Sequence, residues 1–115
     1  MGPADSPVIV TVFRSRLRSQ AAALGYAELA DVMERRARAM PGFVDFKTFS
    51  ASDGERVSVV VFASIEDHNR WRDDPEHRAA QQRGITEFYA DYEITVGEVV
   101  RQHAFRFDGR PSDQG

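Results

Sequence analysis

With 115 residues, no cysteine and a formal net charge of −3, the chain has the length of a single domain, which buries roughly two-thirds of its unfolded surface. Disulfides, thiolate nucleophiles and Cys-ligated metals are excluded, and eighteen acidic against fifteen basic side chains argue against a nucleic-acid partner, which needs clustered uncompensated cations. The longest apolar run, Val57 to Ala63 with Ser58 inside it, is far below the ~20 residues of a membrane span, and no signal-like apolar core follows Met1. A soluble cytoplasmic protein without a membrane partner is expected.

Residues 1–7 combine Gly, Pro and small polar residues without periodicity and read as a disordered tail, as do residues 108–115. One domain is expected over residues 8–107. From Val8 to Arg18 apolar residues alternate, with Val8, Val10 and Val12 on one face of a strand and Ile9, Thr11, Phe13, Ser15 and Leu17 on the other. A strand apolar on both faces must be covered on both.

From about Gly25 to Met40, Tyr26, Leu29, Ala30, Met33, Ala37 and Met40 recur at helical spacing, and Pro41-Gly42 ends the helix. Phe43 to Ser50 and Arg56 to Ala63 read as paired strands joined by a tight turn over Ser52-Asp53-Gly54-Glu55. Ser64 caps a short helix, with Asp67 completing a capping box. Asp74-Pro75 starts another, which Gly84 closes. A last strand runs from about Tyr89 to Arg101, with Gly97 marking a bend or bulge, and residues 103–107 extend it or cross to a neighbour.

The order β-α-β-β-α-β is the split βαβ, or ferredoxin-like, α+β plan, a four-stranded antiparallel sheet with helices on one face. The uncovered apolar face predicts a homodimer packed sheet to sheet.

Residues 64–84 carry the one tryptophan and two of the three histidines. Trp71 reads as a core anchor for its helix or as the aromatic wall of a pocket. His77 falls in the first turn of the helix after Asp74, where the dipole disfavours the imidazolium and leaves a neutral ring able to accept a proton. The plainer reading is a surface or packing histidine of a helix start. His68, among the charges of EDHNR, is expected to be solvated. Asn69 is a candidate hydrogen-bond donor to an oxyanion, although two residues from Trp71 it faces elsewhere on a helix. No histidine–carboxylate set has metal-ligand spacing.

Met40-Pro41-Gly42-Phe43, Asp53-Gly54-Glu55-Arg56-Val57, Trp71 followed by Asp74-Pro75-Glu76-His77-Arg78, and the strand from Tyr92-Glu93-Ile94 to Val100 together resemble the antibiotic biosynthesis monooxygenase family of dimeric α/β barrels. The resemblance implies a homodimeric barrel with a pocket in each subunit between sheet and helices. Haem-degrading branches of that family place an asparagine, the tryptophan and a histidine where this chain has Ser15, Trp71 and Gln81, which argues against haem. Cofactor-independent oxygenases place an asparagine at Asp67 and a tyrosine near His77. The function implied is a cofactor-free monooxygenase of small phenolic, quinol or anthrone-like compounds. In it Trp71 stacks the substrate, Phe13 and Phe46 line the pocket, and His77 or Tyr89 moves a proton. The alternative is a dimeric pocket that binds a small aromatic molecule without turnover, or a stress-response protein.

Overall fold

The computed structural model describes residues 6–107, so nearly all of both expected tails lies outside the described residues. Its elements are β1 (Ile9–Leu17), α1 (Tyr26–Ala39), β2 (Phe43–Ser50), β3 (Arg56–Phe62), α2 (Ile65–Arg72), α3 (Pro75–Arg83), a π-helical turn (Gly84–Phe88) and β4 (Tyr89–Glu98). The strands form one antiparallel sheet in the order β2-β3-β1-β4, the ferredoxin-like arrangement expected from the element order.

Register decides which alternation set faces the helices. Ile9 pairs with Phe62, Thr11 with Val60 and Phe13 with Ser58, so these side chains share the helix-covered face. Ile9, Thr11, Val60 and Phe62 are buried there. Val10, Val12, Val59 and Val61 occupy the opposite face, which no helix covers.

Local sequence explains most boundaries. Gly42, at φ +79°, takes the turn that Pro41 makes necessary after α1. Asp31–Arg35 (2.8 Å) and Glu34–Arg38 (2.9 Å) form ion pairs one helical turn apart on the outside of α1. Ser64 Oγ accepts the Asp67 amide at 3.1 Å and Asp74 accepts the His77 amide at 2.9 Å, the two N-caps read from the sequence. The Asp67 carboxylate, however, takes the Ser64 hydroxyl (3.0 Å) and Arg70 (2.7 Å).

Three expectations about the strands and their connection need correction. The β2–β3 turn spans Ala51 to Gly54, one residue earlier than expected, with the Gly54 amide donating to the Ala51 carbonyl (3.0 Å), the Ala51 amide donating to the Glu55 carbonyl (2.8 Å), and positive φ at Gly54 alone. A two-residue type I′ turn would need Asp53 there as well. Gly97 pairs with Val10 in unbroken register, and the β4 irregularity lies instead where β1 passes Arg16/Leu17. β4 also ends at Glu98, leaving residues 99–107 without regular structure and Val100 and Phe105 exposed.

Gly84, expected to stop α3, is right-handed helical and leads into the π-helical turn. Arg18 permits this continuation by donating to three carbonyls that the turn leaves free: Ile85 (2.8 Å), Thr86 (2.9 Å) and Tyr89 (2.9 Å). Glycine is required at position 84 for close approach, since a Cβ would run into the buried Tyr89 ring. Gly84→Ala is therefore expected to destabilise the domain by about 1–3 kcal/mol, the usual cost of overpacking, read from the denaturant midpoint. An unchanged midpoint would show that the ring is free to yield.

Candidate functional site

The buried side chains form two clusters rather than one continuous core. Ala21, Leu29, Ala80 and Phe88 make the first, and Ala37, Val60, Phe62 and Trp71 the second. A cavity of about 690 Å³ draws its wall from both, with Tyr26 and Met33 at the edge of the first and Val60, Trp71 and Phe46 from the second. That volume is typical of small-molecule sites. The cause of the gap is legible in composition: α1 presents Ala27 and Ala30 to the sheet, and facing strands contribute short polar side chains, Thr11, Thr48 and Ser58. Thr48 and Ser58 hydroxyls satisfy each other at 2.8 Å.

At one end of the cavity stand three aromatic rings. The Trp71 ring lies 4.4 Å from that of His77, centroid to centroid, and 5.9 Å from that of His68, and it stacks on Phe62 at 5.3 Å. Only 7% of Trp71 is exposed. The indole is thus both core anchor and cavity wall, and little of its surface is free as a stacking platform.

Asp74 holds His77 in place. Its carboxylate caps α3 through the His77 amide and is gripped by both Arg36 Nη2 (2.6 Å) and Arg36 Nε (3.2 Å) from α1. The Arg36 hydrogen bond holds the Asp74 carboxyl below its ordinary range against the opposing effect of burial. Burial is the main influence on His77 and pushes its imidazole below the ordinary value, although a hydrogen bond to the Arg72 carbonyl and the charge of Asp74 pull upward. His77 Nδ1 is buried without a hydrogen-bond partner. In the tautomer protonated at Nε2, a neutral ring offers its Nδ1 lone pair as a base. Burial likewise raises the Tyr89 hydroxyl far above its usual value and keeps it a protonated donor.

Among the described residues, four buried side-chain polar atoms have no hydrogen-bond partner: Thr11 Oγ1, Arg56 Nε, Trp71 Nε1 and His77 Nδ1. All four belong to the wall of this cavity. Buried polar groups are normally paired, and these four face a void in which a water or a ligand's polar group can reach them.

Of the residues singled out in the sequence, Phe13, Phe46, Trp71, His77, Gln81 and Tyr89 line the cavity. Ser15 does not; it is buried within the sheet between Arg56 and Tyr92. Asn69 does not line it either, and its carboxamide oxygen meets His68 Nδ1 at 3.1 Å. His68, expected to be solvated, is 5% exposed and lines the cavity. Its spacing of three from Trp71 places both on the sheet-facing side of α2, a signal outweighed by the charges around it. Arg56, Thr11 and Tyr26 are not singled out as site residues by the sequence because nothing local separates them from ordinary strand and helix residues. No cluster of three or more His, Cys, Asp or Glu able to hold a metal occurs among the described residues, and no helix there is long and apolar enough to cross a membrane.

A family model for antibiotic biosynthesis monooxygenase matches residues 7–83. The Bacillus subtilis (strain 168) protein YqjZ is 34% identical over 82 residues, covering 71% of this chain and 72% of its own length. Two solved structures share the fold at lower identity. Rv0793 of Mycobacterium tuberculosis superposes with a TM-score of 0.74 at 18% identity, covering 84% of this chain and 99% of that one. SnoaB, a cofactor-independent oxygenase from Streptomyces nogalater, gives 0.71 at 15% identity, with 85% and 97% covered.

Proposed function

The chain belongs to the antibiotic biosynthesis monooxygenase family, and from that membership we propose that it is a cofactor-independent monooxygenase of small aromatic carbon acids or phenols of the anthrone or quinol kind. The observation that carries the reading is the neutral, buried His77, whose unpartnered Nδ1 sits in the cavity wall beside Trp71. The fold likeness to SnoaB is consistent with it.

The chemistry demands little beyond such a site. His77 Nδ1 takes a proton from the substrate, and the resulting enolate gives one electron to dioxygen. The radical pair joins as a carbon–oxygen bond, and the peroxide takes up a proton. Loss of water then leaves a carbonyl, so CH2 plus O2 gives C=O plus H2O, with dioxygen as oxidant and oxygen source. Desolvation raises the energy of the substrate anion's charge and keeps competing water away. Phe13 and Phe46 supply apolar contact, and the protonated Tyr89 hydroxyl is a donor to the developing oxyanion. The test is oxygen uptake on a panel of anthrones and dihydroquinones. Wild type is expected to consume oxygen above the uncatalysed rate, and equal rates for wild type and the Trp71→Ala/His77→Ala double variant would remove this cavity from the reaction.

The working unit in this proposal is a homodimer joined through the valine face of the sheet, where Arg14–Glu55 (2.9 Å) and Arg16–Asp53 (2.8 Å) neutralise one margin. A second reading, a pocket that binds an aromatic molecule without turnover, draws support from Asp67. Its carboxylate stands where the oxygenase pattern has an asparagine and is engaged by Ser64 and Arg70 outside the cavity wall. A ligand retained through purification, seen by native mass spectrometry without oxygen uptake, would favour it.

A further inference from the structure

Resting on the aromatic-substrate reading above, we propose that Arg56 is a specificity residue that makes the cavity selective for aromatic compounds carrying a carboxylate at the end remote from the reacting ring. Arg56 opens β3 on the helix-covered face, level with Ser15 and, through it, Tyr92. Its guanidinium lies over the Tyr26 ring, 5.4 Å from the centroid, and Nε is buried without a partner.

The charge is uncompensated in a wall where every other charge is matched. Arg72 and Arg78, which also line the cavity, both pair with Asp73, at 2.9 and 3.3 Å. The cavity's carboxylates are taken as well, Asp31 by Arg35 and Glu34 by Arg38. Among the described residues no hydrogen bond or ion pair reaches the Arg56 guanidinium, and Tyr89, the ionisable neighbour, is held protonated. A guanidinium seated on an aromatic face, with its fork of donors unused, is matched to a planar bidentate carboxylate.

Position sets the geometry of the ligand. Val60, four residues along β3, packs with Trp71, so the backbone positions of Arg56 and of the residue beneath the indole stand roughly 13 Å apart along the strand at ~3.3 Å per residue. An extended aromatic skeleton of two or three fused rings spans that interval, with the acidic carbon beside His77 and the carboxylate at Arg56.

The probe is anthraquinone-2-carboxylate, already oxidised and unable to turn over, with anthraquinone-2-carboxamide as its neutral counterpart. Binding to the full chain is followed through the fluorescence of Trp71, the one tryptophan. Wild type is expected to bind the acid on the order of tenfold to a hundredfold tighter than the amide, the range of one charge-assisted hydrogen-bond pair. Arg56→Met should bring that ratio close to one, and Arg56→Lys, which keeps the charge and loses the fork, should leave an intermediate ratio and guard against misfolding of the methionine variant. A ratio near one in wild type, or an unchanged ratio in both variants, overturns the proposal. Because no turnover is required, an acid preference that depends on Arg56 in a protein that consumes no oxygen would sustain this subsite and remove only the oxygenase reading. Oxygen uptake with no acid preference would do the reverse.

Discussion

Replacing His77 with glutamine is expected to lower oxygen consumption on a responsive anthrone by about 10²–10⁴-fold, the range of a lost general base. The amide fills similar space and keeps the backbone N–H that Asp74 caps, so the helix start should persist. The pH profile separates chemistry from packing. Burial lowers the folded-state pKa of His77 from the ordinary 6.5, so the imidazole is neutral above that value and gains its proton only below it. The acid limb of kcat/KM should accordingly lie below pH 6.5. Stability follows the same sign: below 6.5 the unfolded chain takes up a proton that the folded state resists, and the fold weakens as pH falls through that window. Asp74, also depressed, contributes a second loss at lower pH, below its ordinary 3.8, when the Arg36 clamp is protonated away. A His77→Gln enzyme at wild-type rate, or an acid limb of kcat/KM lying above pH 6.5, would refute the general-base assignment.

Val59→Asp is expected to convert a dimer into a monomer. Val59 sits in mid-face, opposite Val12 on β1 and Lys47 on β2, within the row of valines no helix covers. In a symmetric sheet-to-sheet dimer the substitution carries two carboxylates into the interface, and even with Lys47 opposite each of them their desolvation costs several kcal/mol, which weakens association on the order of a thousandfold. Light scattering over the micromolar range reads the change directly. A wild-type chain that is monomeric throughout that range refutes the interface, whereas a Val59→Asp chain that still dimerises places it elsewhere, for example on exposed Val100 and Phe105.

What the sequence by itself determined was the plan. Alternation and helical spacing located the four strands and α1, the caps at Ser64 and Asp74 located α2 and α3, and the order of elements led to the antiparallel sheet. These are local properties, set by periods of two and 3.6 and by which side chains satisfy a free amide. Six of the eight singled-out site residues also reach the cavity, since aromatic residues on the inner faces of strands and the sheet-facing side of a helix have few other places to go.

Only the tertiary structure decided the rest, because it depends on what a distant residue does. Gly84 fails to stop its helix because Arg18, 66 positions earlier, satisfies the carbonyls of a wider turn. His68 is buried despite a charged neighbourhood because α2 lies with that side against β3. Ser15 shares the helix-covered face with Phe13 but is buried between Arg56 and Tyr92, and the Asn69 carboxamide is turned to His68, so neither reaches the cavity. Arg56 reads as an ordinary strand residue until the ion pairs of the other wall residues are known, and its lack of a partner becomes informative only once theirs are in place. Period and capping fixed where the chain bends; which polar atoms would be left waiting inside was a matter of long-range pairing.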